Sequence, residues 1–157
     1  MSLSPDRDPD GDRYAFTNWS TEIQYAIPLF APQRTLVLRQ SIERSDPIGS
    51  GTIPFYRLPV LDRNHGLRSF ERNRFQDRGR LAMSAEYRFP IWRTWDGFLA
   101  FDTGQTFFDW ADIDMRDLRV SGGGGIRFYS ADKLLFLLQL TTGNEGAELV
   151  LQFGQGF

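Results

Sequence analysis

Apolar and polar residues alternate along most of this chain with a period of two, the spacing of strands with two unlike faces. In residues 14–30, Trp19, Thr21, Ile23, Tyr25 and Ile27 fall on one face and Asn18, Ser20, Glu22 and Gln24 on the other. After a turn at Ala31-Pro32-Gln33-Arg34, residues 35–43 set Leu36, Leu38 and Ile42 against Val37, Arg39 and Ser41. Residues 80–91 set Leu81, Met83, Ala85, Tyr87 and Phe89 against Ala82, Ser84, Glu86 and Arg88, and Pro90 predicts the strand end. Residues 95–108 place Leu99 and Phe101 opposite Ala100, Asp102 and Gly104. Residues 118–129 place Val120, Ile126 and Phe128 opposite Arg119, Ser121 and Arg127, and residues 133–142 are the most apolar stretch. The last strand, 147–157, follows a tight turn at Gly143-Asn144-Glu145-Gly146 and puts Ala147, Leu149, Leu151, Phe153 and Phe157 on one face.

The pattern predicts an all-β, antiparallel protein of seven strands with no helix. The alternation breaks over residues 44–79, which hold Pro47, Gly49, Gly51, Pro54, Pro59 and Gly66 and many arginines. About 36 residues is too long for an ordinary connection and reads as a functional loop. Residues 1–13 are polar and rich in Asp and Pro, and read as a flexible segment ahead of one domain over 14–157. The opening Met1-Ser2-Leu3-Ser4 has no charged and apolar leader, so no signal peptide is expected.

At about 3.3 Å per residue and a tilt near 45°, a strand of about 10 residues spans about 23 Å, close to the apolar band of an outer-membrane barrel. The apolar faces carry aromatics near the strand ends, as interfacial girdles do. The opposite faces carry Glu22, Arg39, Glu86, Arg88, Asp102, Arg119, Arg127 and Glu148, as a wet lumen would. A soluble lipocalin-like barrel inverts this arrangement, and the alternation alone fits either.

Composition removes several chemistries. Lys and Arg number 18 and Asp and Glu 20, a net charge of −2 without the basic field of a nucleic-acid binder. The chain has no cysteine, and its one histidine is His65, so thiolate chemistry and multi-histidine metal sites within one chain are excluded. No Gly-x-Ser-x-Gly elbow accompanies His65, and no enzyme, cofactor or metal is expected. Asp6-x-Asp8-x-Asp10-Gly11 resembles the start of a calcium loop, but position twelve is Thr17 and the run reads as a solvated acidic loop. The same reading holds for Asp109, Asp112, Asp114 and Asp117, which could alternatively bridge divalent ions to lipid headgroups.

Four stretches carry a resemblance. They are Leu67-Arg68-Ser69-Phe70, followed by Asn73 to Arg78; Ala85-Glu86-Tyr87-Arg88-Phe89-Pro90-Ile91; Phe101-Asp102-Thr103-Gly104; and Ser121 to Phe128, with the end Phe153-Gly154-Gln155-Gly156-Phe157. Their order and spacing resemble the C-terminal barrel half of the bacterial surface antigen superfamily, the BamA/TamA-type outer-membrane assembly and translocation barrels. The resemblance covers about residues 14–157. It implies a transmembrane β-barrel of the bacterial outer membrane that inserts or translocates polypeptide, or anchors a partner domain. Its implied partners are outer-membrane lipid and client polypeptides. It also implies that the loop folds into the barrel and that Arg68 pairs with the inward Glu86 and Asp102. Leu67, Ser69 and Phe70 complete the loop motif, with serine where the family has glycine. If that position needs positive φ, serine strains the loop. The pairing reads either as a static plug or as a moving loop. Phe153 and Phe157 resemble the C-terminal assembly signal.

Seven strands conflict with the even number of bacterial barrels. Either Ile53–Val60 forms an extra strand, or the chain is part of a larger barrel completed by missing strands or a second chain. The alternatives to an assembly role are a passive or structural barrel and a soluble ligand-binding barrel.

Overall fold

The computed structural model describes residues 14–31, 33–130, 133–144 and 146–154. The acidic segment 1–13 and Phe157 lie outside the described residues. The fold is all-β. Its elements are β1 (Phe16–Pro28), β2 (Thr35–Pro47), β3 (Val60–Leu61), β4 (Phe75–Gln76), β5 (Gly79–Trp92), β6 (Trp95–Phe107), β7 (Arg119–Ser130), β8 (Lys133–Gly143) and β9 (Gly146–Phe153), with three single 3-10 turns at Phe55–Arg57, Arg63–His65 and Trp110–Asp112. Seven strands form one antiparallel sheet in the order β1-β2-β5-β6-β7-β8-β9, and β3 pairs β4 apart from it. The sheet is a meander, so the 48–78 and 108–118 connections share one end and the shorter β1–β2 and β5–β6 turns share the other.

Three boundaries depart from the sequence reading. β2 continues past residue 43 to Pro47, because Arg44, at an apolar-face position, is covered by Trp110 and Phe107. β5 runs past Pro90 to Trp92. Its pairing with β2 ends at Arg88, so Pro90 faces β6 alone and no β2 acceptor goes without an amide. Ile53–Val60 is not an eighth sheet strand: Pro54 and Pro59 bracket a 3-10 turn, and Val60–Leu61 pairs only with Phe75–Gln76.

The register assigns every strand residue to a face. Glu22 lies opposite Ser41, Arg39 opposite Ser84, Ser84 opposite Asp102, Asp102 opposite Ser121, and Thr141 opposite Glu148. One face of the sheet is therefore polar from β1 to β9. The other is apolar and open: Ile23 is 63% exposed, Leu99 58%, Leu149 62% and Phe153 74%. Aromatics gather at both ends of that face. Tyr87 stacks with Phe89 near the short turns, where Trp95 also packs at a tilt on Phe128 and Phe136 on Phe153, and Trp19 stacks with Trp110 near the long loops.

Close approach on the inner face explains part of the glycine run Gly122–Gly125. A Cβ on Gly123 would collide with the Leu140 carbonyl oxygen and with Thr141. Glycine here lets β7 and β8 curve around what lies inside.

Candidate functional site: a loop clamped to the inner face

The 48–78 segment lies on the polar face and carries its own small core. Leu61, Leu67 and Phe70 are fully buried against Ala82 of β5, with Phe75 packed on them. Gly66, with φ of +118°, ends the Arg63–His65 turn where a Cβ would strike Ala82. The loop thus seats on β5 by shape before any charge is counted.

Asp62 organises the next part. Its Oδ1 accepts from the Asn64 and His65 amides at 2.9 and 3.1 Å and lies 2.7 Å from His65 Nδ1; its Oδ2 accepts from the Asn73 amide at 3.0 Å. Asn73 adopts a left-handed φ of 56°, which asparagine tolerates. Burial alone would push the Asp62 carboxyl up, but the Asn73 amide and the His65 ring outweigh it and hold the group below its ordinary value of 3.8. A carboxylate with a depressed pKa stabilises the docked loop at pH above that value and ceases to do so as pH falls through the folded pKa. As pH falls through the folded pKa, the protection of the Asn64, His65 and Asn73 amides, corrected for their intrinsic exchange rates, should therefore drop in a hydrogen-exchange experiment. Asp62→Asn should remove that pH dependence, and retention of it would transfer the effect to another group.

Arg68 reaches the centre of the site. Its Nη2 lies 2.7 Å from Glu86 Oε2, and its Nε lies 3.7 Å from Asp102 Oδ2. Its own amide donates to Asp102 Oδ2 at 3.3 Å, and its carbonyl accepts from Thr141 Oγ1 at 3.4 Å. Asp102 is further held by the hydroxyls of Ser84 at 2.7 Å and Ser121 at 3.1 Å. The structure thus brings Arg68, Glu86 and Asp102 together, with β5 and β6 supplying the two carboxylates side by side.

The sequence reading missed how many cations share Glu86. Arg127 grips it in bidentate fashion at 2.8 and 3.0 Å, and Arg88 donates at 2.6 Å. Three guanidinium groups meet one carboxylate, and Arg127 also lies 4.0 Å over the Phe98 ring. Alternation had placed Arg88 and Arg127 on the polar face, and only the cross-strand register aims them at Glu86. Two further pairs were also unread: Arg63 with Glu148 of β9, and Arg80 with Glu43 at 2.9 Å.

The other motif residues sit as follows. Leu67 and Phe70 are core. Ser69 is not among the positive-φ residues, so serine there carries no left-handed strain. Its buried Oγ has no hydrogen-bond partner and faces Gly143. Phe153 lies on the exposed apolar face. The acidic stretch caps itself: Asp112 Oδ2 accepts from the Asp109 amide and Asp114 Oδ1 from the Arg116 amide.

No family model and no curated protein matches the chain.

Chemically, the site is a clamp. It pairs half-buried guanidinium groups with buried carboxylates through charge-assisted hydrogen bonds, which are the strong ones where water is partly excluded.

Proposed function

We propose that the chain is a β-barrel module of a bacterial outer membrane whose lumen is filled by the Arg68 loop. One observation carries the reading: the sheet exposes a continuous apolar face with aromatics at both margins, while its charges point to the covered side. A soluble domain does the reverse, because a large exposed apolar face in water costs free energy and drives association. β6, with 13 residues, ends on Trp95 and Phe107. At about 3.3 Å per residue and a tilt near 45°, it spans about 30 Å, enough to cross an apolar band of about 25 Å with its aromatics at the interfaces. The filled inner face also speaks against a soluble ligand-binding barrel.

The likeness of the loop and strand motifs to assembly and translocation barrels supports a role in inserting or translocating polypeptide. Anchoring of a partner is the second reading, favoured by the density of contacts that hold the loop in place.

Two measurements test this. Reconstituted with phospholipids brominated along the acyl chain, the protein should show quenched tryptophan emission, with Trp19, Trp92, Trp95 and Trp110 at or near the margins. Recovery as a soluble protein without detergent, and no quenching, would overturn the membrane reading. Addition of the reconstituted chain to an unfolded client barrel should accelerate client insertion. An unchanged rate would remove the assembly role and leave anchoring.

A further inference from the structure

A polar cleft of about 380 Å³ opens at the long-loop end, where the 108–118 connection meets the β8–β9 turn. Gln105, Asp112, Arg116, Asp117, Arg119 and Asn144 line it. None of them belongs to the Arg68 clamp. The volume lies within the range of small-molecule sites.

Gln105, third from the end of β6, is the buried member and only 2% exposed. Its Oε1 accepts from the Asp114 amide at 3.4 Å, which turns the carbonyl end of the side chain toward the connection. Its Nε2 is buried and has no hydrogen-bond partner. Buried donors are almost always paired, because a donor stripped of water and given nothing in return costs free energy. An acceptor atom bound in the cleft would supply that partner.

The rim offers donors and acceptors together. Arg116 and Arg119 have no ion pair among the described residues. Arg119 lays its guanidinium 3.8 Å from the centre of the Phe75 ring. Stacking uses the face of that plane and leaves the N–H groups at its edge free to donate. Asp112 Oδ2 takes the Asp109 amide. The Asp117 carboxylate accepts no hydrogen bond among the described residues, and the Asn144 amide can both donate and accept. Two arginines and two aspartates cancel, so the lining holds no net charge for a lone ion. Among the described residues no three carboxylate or histidine side chains converge as metal ligands would.

Such a lining suits a ligand whose neighbouring atoms donate and accept at once. Vicinal hydroxyls do so: each O–H donates to a carboxylate while its oxygen accepts from an amide or guanidinium N–H. Planar side chains with two polar atoms match two adjacent hydroxyls. We propose that this cleft is a saccharide site. It takes a pyranose ring through vicinal hydroxyls, with Gln105 Nε2 as the donor at its floor and Arg116 and Asp117 at its rim. Free sugars and the glycans of glycolipids share this chemistry, and the test separates them. The inference does not rest on the membrane reading.

The full chain is held in lauryldimethylamine oxide, a detergent with neither sugar nor phosphate. Saturation-transfer difference NMR is run with the methyl pyranosides of mannose, galactose and glucose. Tetrahydropyran-2-methanol serves as the ring without vicinal hydroxyls. Rough lipopolysaccharide and phosphatidylglycerol are titrated in parallel. The expected result is transfer to the ring protons of a methyl pyranoside, which assigns a free sugar, or binding of lipopolysaccharide alone, which assigns a glycolipid glycan. Gln105→Glu keeps an acceptor for the Asp114 amide and removes the buried donor, while Arg116→Ala and Asp117→Ala trim exposed side chains. Each should weaken binding about tenfold, the scale of one lost hydrogen bond to a charged or buried group, with tryptophan emission unchanged. Binding of no sugar, equal binding of phosphatidylglycerol or of tetrahydropyran-2-methanol, or full binding by both Arg116→Ala and Asp117→Ala would overturn the inference.

Discussion

Glu86→Ala should cost about 1.5–3 kcal/mol of folding stability, the scale of a lost charged hydrogen bond and below that of a fully buried pair, because the guanidinium groups left behind stay partly exposed. The substitution leaves Arg68, Arg88 and Arg127 converging on an empty position. Arg127 is the most buried of the three, and its remaining close neighbour is the Phe98 ring. Like charges that had shared one carboxylate would then repel across a partly dry interior. Glu86→Gln should cost less, because an amide oxygen still accepts one of the four donated contacts. Denaturant unfolding in lipid, followed by tryptophan emission, measures both. Equal stability of Glu86→Ala and the native protein would mean that water already screens the cluster.

Arg68→Ala should act more locally. Glu86 keeps Arg88 and Arg127, and Asp102 keeps both serine hydroxyls, so neither carboxylate is orphaned. What is lost is the tie between loop and sheet. Charge-assisted hydrogen bonds contribute about 1.5–3 kcal/mol each, and Arg68 makes one close ionic contact and one longer one. The loop should open about 10- to 100-fold more often, at about 1.4 kcal/mol per tenfold. Trypsin should then cut sooner within 48–78, which contains Arg57, Arg63, Arg72 and Arg74, and channel conductance should rise. The apolar seat of Leu61, Leu67 and Phe70 limits the effect. Unchanged proteolysis and unchanged conductance together would remove Arg68 from any role in holding the loop.

The seven strands were legible because a sheet with two unlike environments imposes a period of two, and this chain keeps it. The long loop was legible as the place where that period fails. Its position over Glu86 and Asp102 was legible from the family likeness together with strand parity, since both carboxylates fall on polar faces. The crowding at Glu86 was not. Arg127 is 41 residues away in sequence, and its aim depends on a register that composition does not encode. Arg44 misled for a related reason. An arginine at an apolar position looks like a strand end, yet here Trp110 lies 5.0 Å above it, Asp46 pairs with it at 2.8 Å, and the strand continues. Asp62 gave little signal of its own, because three of its partners are backbone amides that any sequence carries and the fourth is the His65 ring three residues on.

The seated loop also sets the bend of the sheet. Its ties run backward to β2 and forward across many residues, as from Arg68 to Thr141, 73 positions on. Leu61, Leu67 and Phe70 seat the segment on β5, and Arg63 reaches Glu148 of β9. The segment acts as a mandrel: strands far apart in sequence take their curvature from the one body they all touch.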